Sequence, residues 1–201
     1  MILSIDTFSD TLGIAVIKDH RVLIKETIGK TKPFSELIIT RLDRLFKDFQ
    51  LNKEDIVALV VNKGPGSLTS LRVGITVVKT IAYSLKKPVY SYSSLDVMAY
   101  KYRCFNGKII SAINAGKGEI FLREYLSNNF EVKHVSDIKL EKQSVLENKK
   151  DGMLVVKNIN ISGKNVFHIL EDLSVEGAFY SLKNHTEEDI FKLEPLYIRG
   201  L

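Results

Sequence analysis

The stretch of this 201-residue chain with the most to offer chemically is Gly64-Pro65-Gly66-Ser67-Leu68-Thr69-Ser70-Leu71-Arg72-Val73-Gly74. It links a β-branched apolar run to an apolar-periodic one, so it reads as a strand-to-helix loop whose amides could face an anion at the positive end of the helix. On that reading Gly64, Gly66 and Ser67 are candidate phosphate contacts. It is not a Walker loop, because no Lys-Ser/Thr follows the glycines, and Thr69 at the third glycine position rules out the dinucleotide fingerprint. The same residues equally make a Gly-Pro-Gly turn with Ser67 capping the next helix, and both readings stay open. The four histidines, His20, His134, His168 and His185, are far apart and read as surface residues. Cys104 has no CxxC neighbour and reads as a small buried hydrophobe in a reducing compartment.

These groups need elements to carry them. Residues 2–28 read as three strands, ILSID, LGIAVIK and RVLIKETI, with a tight turn at Lys18-Asp19-His20, an antiparallel meander. Phe34, Leu37, Ile38, Leu42, Leu45, Phe46 and Phe49 recur at helical spacing, and Glu36 supplies an acidic first turn. Residues 56–61 form a continuous apolar run, as in a strand covered on both faces. The loop then opens a helix over 68–85 that Pro88 stops, followed by a strand at 89–91 and a helix at 94–102. KIISAIN, GEIFLREY and FEVKHV repeat the three-strand pattern over 108–135, before a short helix near 141–148 and a strand at 153–156; residues 157–190 carry no firm pattern. A βββαβα unit followed by a second βββ unit implies an α/β chain of two lobes, 1–104 and a smaller 105–201, with room for a C-terminal segment to return to the first. The boundary is expected in 103–107, where apolar periodicity lapses.

The helix over 68–85 is apolar beyond one stripe, with Leu71, Ile75, Val78, Ala82 and Leu85 on one face and Val73, Val77 and Ile81 beside it. Ile39 likewise lies off the main stripe of the first helix. Such helices are either sandwiched in the core or form a protein-binding surface. On the second reading the contacts, chosen by facing, are Leu37, Ile38, Arg41, Leu45, Val73, Val77, Thr80, Ile81 and Ser84.

A composition of 45% hydrophobic and 26% charged residues excludes a disordered chain and supports a substantial core. The net charge of +5 is mild, and the lysines and arginines are scattered instead of lining one face with aromatics, so autonomous tight RNA binding is not expected. The densest patch, Lys142, Lys149 and Lys150, runs into Asp151-Gly152 and reads as a solvated turn. Asp6 breaks the opening apolar stretch too early for a signal peptide, and no run approaches the roughly 20 apolar residues of a membrane span. A cytoplasmic protein is expected.

The opening Ile2-Leu3-Ser4-Ile5-Asp6-Thr7, the Gly64 to Gly74 run with Lys79 after it, and Ser93-Ser94-Leu95 resemble the TsaB (YeaZ) family. Further on, Ile113-Asn114-Ala115-Gly116-Lys117-Gly118-Glu119-Ile120-Phe121 and the ending Pro195-Leu196-Tyr197-Ile198-Arg199 resemble it as well. The Gly-Pro-Gly loop also occurs in TsaD, the catalytic paralogue, which carries Asn-His-x-x-x-His so that two imidazoles reach one metal. Ser94 and Met98 stand at those two positions here, and no metal is expected. The chain departs from the TsaB pattern at Phe34, where the family has His, at Leu68 and Ser70, where it has Phe and Gly, and at Asn114 and Gly116, where it has Asp and Arg.

The resemblance implies an actin-like ATPase (ASKHA) fold without a cofactor. It further implies a non-catalytic subunit whose first-lobe helices bind and activate a TsaD-like catalytic subunit, working with a TsaE-like ATPase to put a threonylcarbamoyl group on the tRNA adenosine beside the anticodon. Transfer RNA would be met only through that complex, and alone the chain would form a homodimer. The alternative is an autonomous small actin-like kinase using ATP, in which Asp6, Thr7 and Ser9 and the Gly64 loop would contact nucleotide or phosphate.

Overall fold

The computed structural model describes residues 1–149, 151–184 and 187–198, so Lys150, His185 and Arg199, named above, lie outside the described residues. In chain order the strands are β1 (Ile2–Asp6), β2 (Thr11–Lys18), β3 (Arg21–Gly29), β4 (Ala58–Asn62), β5 (Val89–Tyr92), β6 (Gly107–Gly116), β7 (Glu119–Asn128), β8 (Glu131–His134), β9 (Lys139–Lys142), β10 (Met153–Lys157) and β11 (Val166–His168). The helices are α1 (Phe34–Asp48), α2 (Leu68–Leu85), α3 (Ser94–Lys101) and α4 (Ser174–Asn184). They pack as two units, one of Met1–Tyr92 with Glu171–Pro195 and one of Ser93–Leu170 with the described residues that follow Pro195. The division at Tyr92 and Ser93 falls ahead of the 103–107 stretch, and α3 goes with the second unit.

In the first unit the meander pairs antiparallel, and β4 and β5 add on in parallel to give the order β3-β2-β1-β4-β5. The hairpin between β2 and β3 turns through Asp19 and His20 at φ of 50° and 59°, the left-handed pair that keeps the strand twist in a two-residue turn. A 3-10 turn at Lys53–Asp55 delays β4 and leaves Val57 exposed, and all five residues of β4 are buried. Period-2 alternation sends Leu3 and Ile5 of β1 into the core shared with α1 and α2, and Ser4 and Asp6 to the opposite face. α2 stops where Lys86 takes the left-handed conformation and its N–H bonds the carbonyl of Ala82, just before Pro88.

The helix that 157–190 hides is α4, which packs on β1, β2, β4 and β5. Its inward residues are small: Ser174, Gly177, Ala178 and Ser181. Beyond it, the 187–195 segment runs along the β5 edge. Glu188 N–H bonds the Val89 carbonyl at 2.8 Å, Lys63 Nζ bonds the Glu188 carboxylate at 2.7 Å, and Leu193 is buried in the core.

In the second unit the order is β11-β10-β6-β7-β8, with β9 also on β7. α3 packs on β6 and β7. Ile110, Ala112, Ile120, Leu122, Leu154 and Val156 form its core. Two expectations need correction here. The helix expected near 141–148 is a 3-10 turn at Gln143–Asn148, because Lys139–Lys142 extends as β9 and only Leu146 of the turn reaches the core. Cys104, expected buried, is exposed in the connection between α3 and β6.

Candidate functional site

Two places in the first unit gather the residues singled out from sequence, and the first is the C-terminal end of β1. Asp6 there is fully buried. One carboxylate oxygen, Oδ1, accepts from the Phe8 N–H at 3.0 Å and from Asn62 Nδ2 at 3.2 Å; the other, Oδ2, accepts from the Leu173 N–H at 2.8 Å and the Tyr92 hydroxyl at 3.1 Å. Burial, and then the charge of Asp172, push this carboxyl up to about 7 against the pull of the Phe8, Leu173 and Tyr92 hydrogen bonds. Burial and the neighbouring acids also hold the Tyr92 phenol well above its ordinary range, so it keeps its proton and stays a donor.

Asp172 is tied down in turn. It accepts from Thr27 Oγ1 at 2.5 Å and from both the N–H and Oγ of Ser174, at 2.8 and 2.5 Å, and so caps the start of α4. Its carboxylate leaves no room on β2: a Cβ at Gly13 would lie 2.1 Å from Asp172 Oδ1.

The Gly64 loop packs onto the same strand end. The Gly64 N–H bonds Asn62 Oδ1 and the Ser67 N–H bonds the Phe8 carbonyl, each at 2.8 Å. A Cβ at Gly66 would stand 2.2 Å from that carbonyl oxygen, which explains glycine there by close approach of two backbones. Ser67 sits at the start of α2 but does not cap it with its side chain: its Oγ pairs with Ser70 Oγ at 3.0 Å. Thr7 is buried beneath Gly74 of α2, and Ser9 Oγ pairs with Thr11 Oγ1 at 3.2 Å. The structure thus brings Asp6, Thr7, Ser9, Gly64, Gly66 and Ser67 into one neighbourhood, with the acid and the amides of Gly64 and Ser67 already hydrogen-bonded within the chain. Sequence reasoning missed Asn62, Tyr92, Asp172 and Leu173. The pattern Asp172-Leu173-Ser174 ahead of Glu176 is a helix-start signature that could have flagged two of them. Among the described residues no group of three or more His, Cys, Asp or Glu side chains is placed to hold a metal ion.

The second place lies between α1 and α2, where a groove of about 320 Å³ is open to solvent. Leu3, Leu42 and Ile56 floor it, and Ile39, Phe46 and Ile81 wall it. Of the residues chosen by facing, Thr80 and Ser84 are exposed, while Leu37, Val73, Val77 and Ile81 are half-buried against the core. Arg41, also half-buried, reaches Glu26 at 3.3 Å. Ile38 and Leu45 need correction, because they are 0% and 4% exposed and sit in the core of their own unit. Ile39, the next residue of α1, is the one turned outward, at 57% exposure.

Residues 28–185, more than half of the chain, match the family model described as TsaD: tRNA N6-adenosine threonylcarbamoyltransferase. The chain is 35% identical over 128 residues to the tRNA threonylcarbamoyladenosine biosynthesis protein TsaB of Bacillus subtilis, a match covering 64% of this chain and 56% of that protein. It is 30% identical to the TsaB of Buchnera aphidicola subsp. Schizaphis graminum, over 64% of this chain and 62% of that one. The chain belongs to the TsaD family and, within it, to the TsaB (YeaZ) proteins. It spans less than two thirds of the length of these two TsaB relatives. The structure of YeaZ from Pseudomonas aeruginosa superposes with a TM-score of 0.81 at 16% identity, covering 98% of this chain and 99% of that one. The fold is that of YeaZ, an actin-like ATPase fold. Among the described residues no helix is long and apolar enough to cross a membrane.

Proposed function

We propose that this chain is a cytoplasmic, non-catalytic subunit in the biosynthesis of threonylcarbamoyladenosine in tRNA, and that it pairs through α1 and α2 with a TsaD-like catalytic subunit. The observation that carries this reading is the uncovered apolar groove between the two helices, with Ile39 57% exposed at its wall. The self-satisfied carboxylate at the end of β1 and the bonded amides of Gly64 and Ser67 support the non-catalytic part, since these groups already have partners within the chain. On this reading the subunit binds a competent conformation of the catalytic partner more tightly than an incompetent one and so raises its population. A TsaE-like ATPase and the tRNA then dock on the complex, and without a partner the same face pairs with a second copy.

The test is reconstitution of threonylcarbamoyl transfer to tRNA from the TsaD-like subunit and the ATPase, with this chain added or withheld. Product should depend on the chain and be lost with Ile39→Glu. Equal product without the chain refutes the reading. Titration of the isolated chain with magnesium-ATP should give no heat, whereas tight binding with turnover would favour a small kinase.

A further inference from the structure

The feature that partner binding does not use is the junction of β1 with the start of α4. Two buried carboxylates, Asp6 and Asp172, at 0% and 1% exposure, come together there from opposite ends of the chain. Leu173, whose N–H bonds Asp6, is covalently next to Asp172, so the backbone that satisfies one acid delivers the other. We propose that this junction is a pH-sensitive clasp: with a proton on Asp6 the start of α4 stays seated against β1 and β5, and without it the 171–184 segment opens more often.

The groups facing Asp6 set the direction. On β5, Tyr92 keeps its proton and can donate to the ionised carboxylate or accept from the neutral carboxyl. On β4, Asn62 is neutral, and on β2, Gly13 brings no charge. On β3, Thr27 is a neutral donor to Asp172, and Lys25, which burial pulls down, is nevertheless held above its ordinary value by its hydrogen bond to Glu171 and the charges of Asp172, Glu171 and Glu176. From α4 and its lead-in come Glu171, Asp172 and Glu176, all acids. The single lysine therefore faces three carboxylates before Asp6 ionises, and an ionised Asp6 adds a fourth in a site closed to water.

Opening the segment would admit water and move Asp172 away, returning Asp6 from about 7 toward the ordinary 3.8. The closed form then holds the proton more tightly than the open one. Its advantage is full below the lower value, declines as pH rises to the upper one, and is gone above it. Between pH 6 and 8 the opening constant should rise about tenfold.

Hydrogen exchange of the whole chain, read by mass spectrometry at pH 6 and 8 and corrected for intrinsic exchange, tests this. Protection over 173–184 should fall about tenfold at the higher pH, while peptides of β6 and β7 keep theirs. Asp6→Asn should abolish the difference, and Asp172→Asn, which leaves Ser174 an acceptor, should shrink it. Should Asp6→Asn fail to fold, the Asp172→Asn comparison decides alone. Equal protection at the two pH values, an undiminished difference in the folded variants, or a uniform loss across the first unit would overturn the clasp.

Discussion

Replacing Gly177 by alanine should weaken the first unit although alanine is the better helix former. A methyl at this position would stand 2.2 Å from both Cε1 and Cζ of Tyr92, whose ring is 1% exposed and has nowhere to retreat. Either α4 lifts from the sheet or the ring shifts by more than an ångström. Helix propensity favours alanine over glycine by about 1 kcal/mol. Against it stand overpacking, at about 1–3 kcal/mol, and the weakened Tyr92 hydrogen bond to Asp6, at about 1.5–3 kcal/mol if the acid is charged. The net is a destabilisation of about 1.5–5 kcal/mol. With no tryptophan in the chain, urea unfolding is best followed by far-ultraviolet circular dichroism, where the midpoint should fall with the slope unchanged. A variant as stable as the parent, or more so, would show that α4 does not rest on Tyr92 and would refute the packing described.

The two neighbouring isoleucines of α1 should part company: Ile38→Ala removes a fully buried side chain and should cost about 2–5 kcal/mol in the same assay, while Ile39→Ala should change it by no more than about 0.5 kcal/mol. In the second unit, hydrogen bonds from Lys108, at 2.8 Å, and Lys149 hold the Glu124 carboxyl below its ordinary value. A depressed folded value means that the stabilisation is present above the unfolded pKa and fades as pH falls through the folded one, so Glu124→Gln should flatten the acid limb of the stability profile measured from neutral pH downward.

What could be read from sequence follows from how each element buries itself. The meander β1 to β3 and the helices α1 and α2 bury large apolar residues at periods of 2 and 3.6, and their bounds were legible to within a residue or so. α4 escaped because it seats Ser174, Gly177, Ala178 and Ser181 on the sheet, small residues that leave no hydrophobic period. β9, with Lys139, Glu141 and Lys142, and three-residue β11 are short strands in which side-chain charge or brevity hides the pairing. For the groove, periodicity identifies two helices with apolar excess and sets Ile39 off the main stripe of α1, but choosing contacts by facing takes in Ile38 and Leu45, which meet the core, and leaves Ile39 out. For the acid, Asp6 was legible as a candidate, while its seal was not, since the Leu173 N–H comes from 167 residues further along.

The groove between α1 and α2 is the proposed docking face for a TsaD-like subunit. Co-purification of that subunit with the tagged chain tests it most directly, comparing the parent with Ile39→Glu and Val77→Glu at matched circular dichroism. The partner should be recovered with the parent and lost with both variants. Recovery in full with a folded Ile39→Glu chain would contradict docking through this groove.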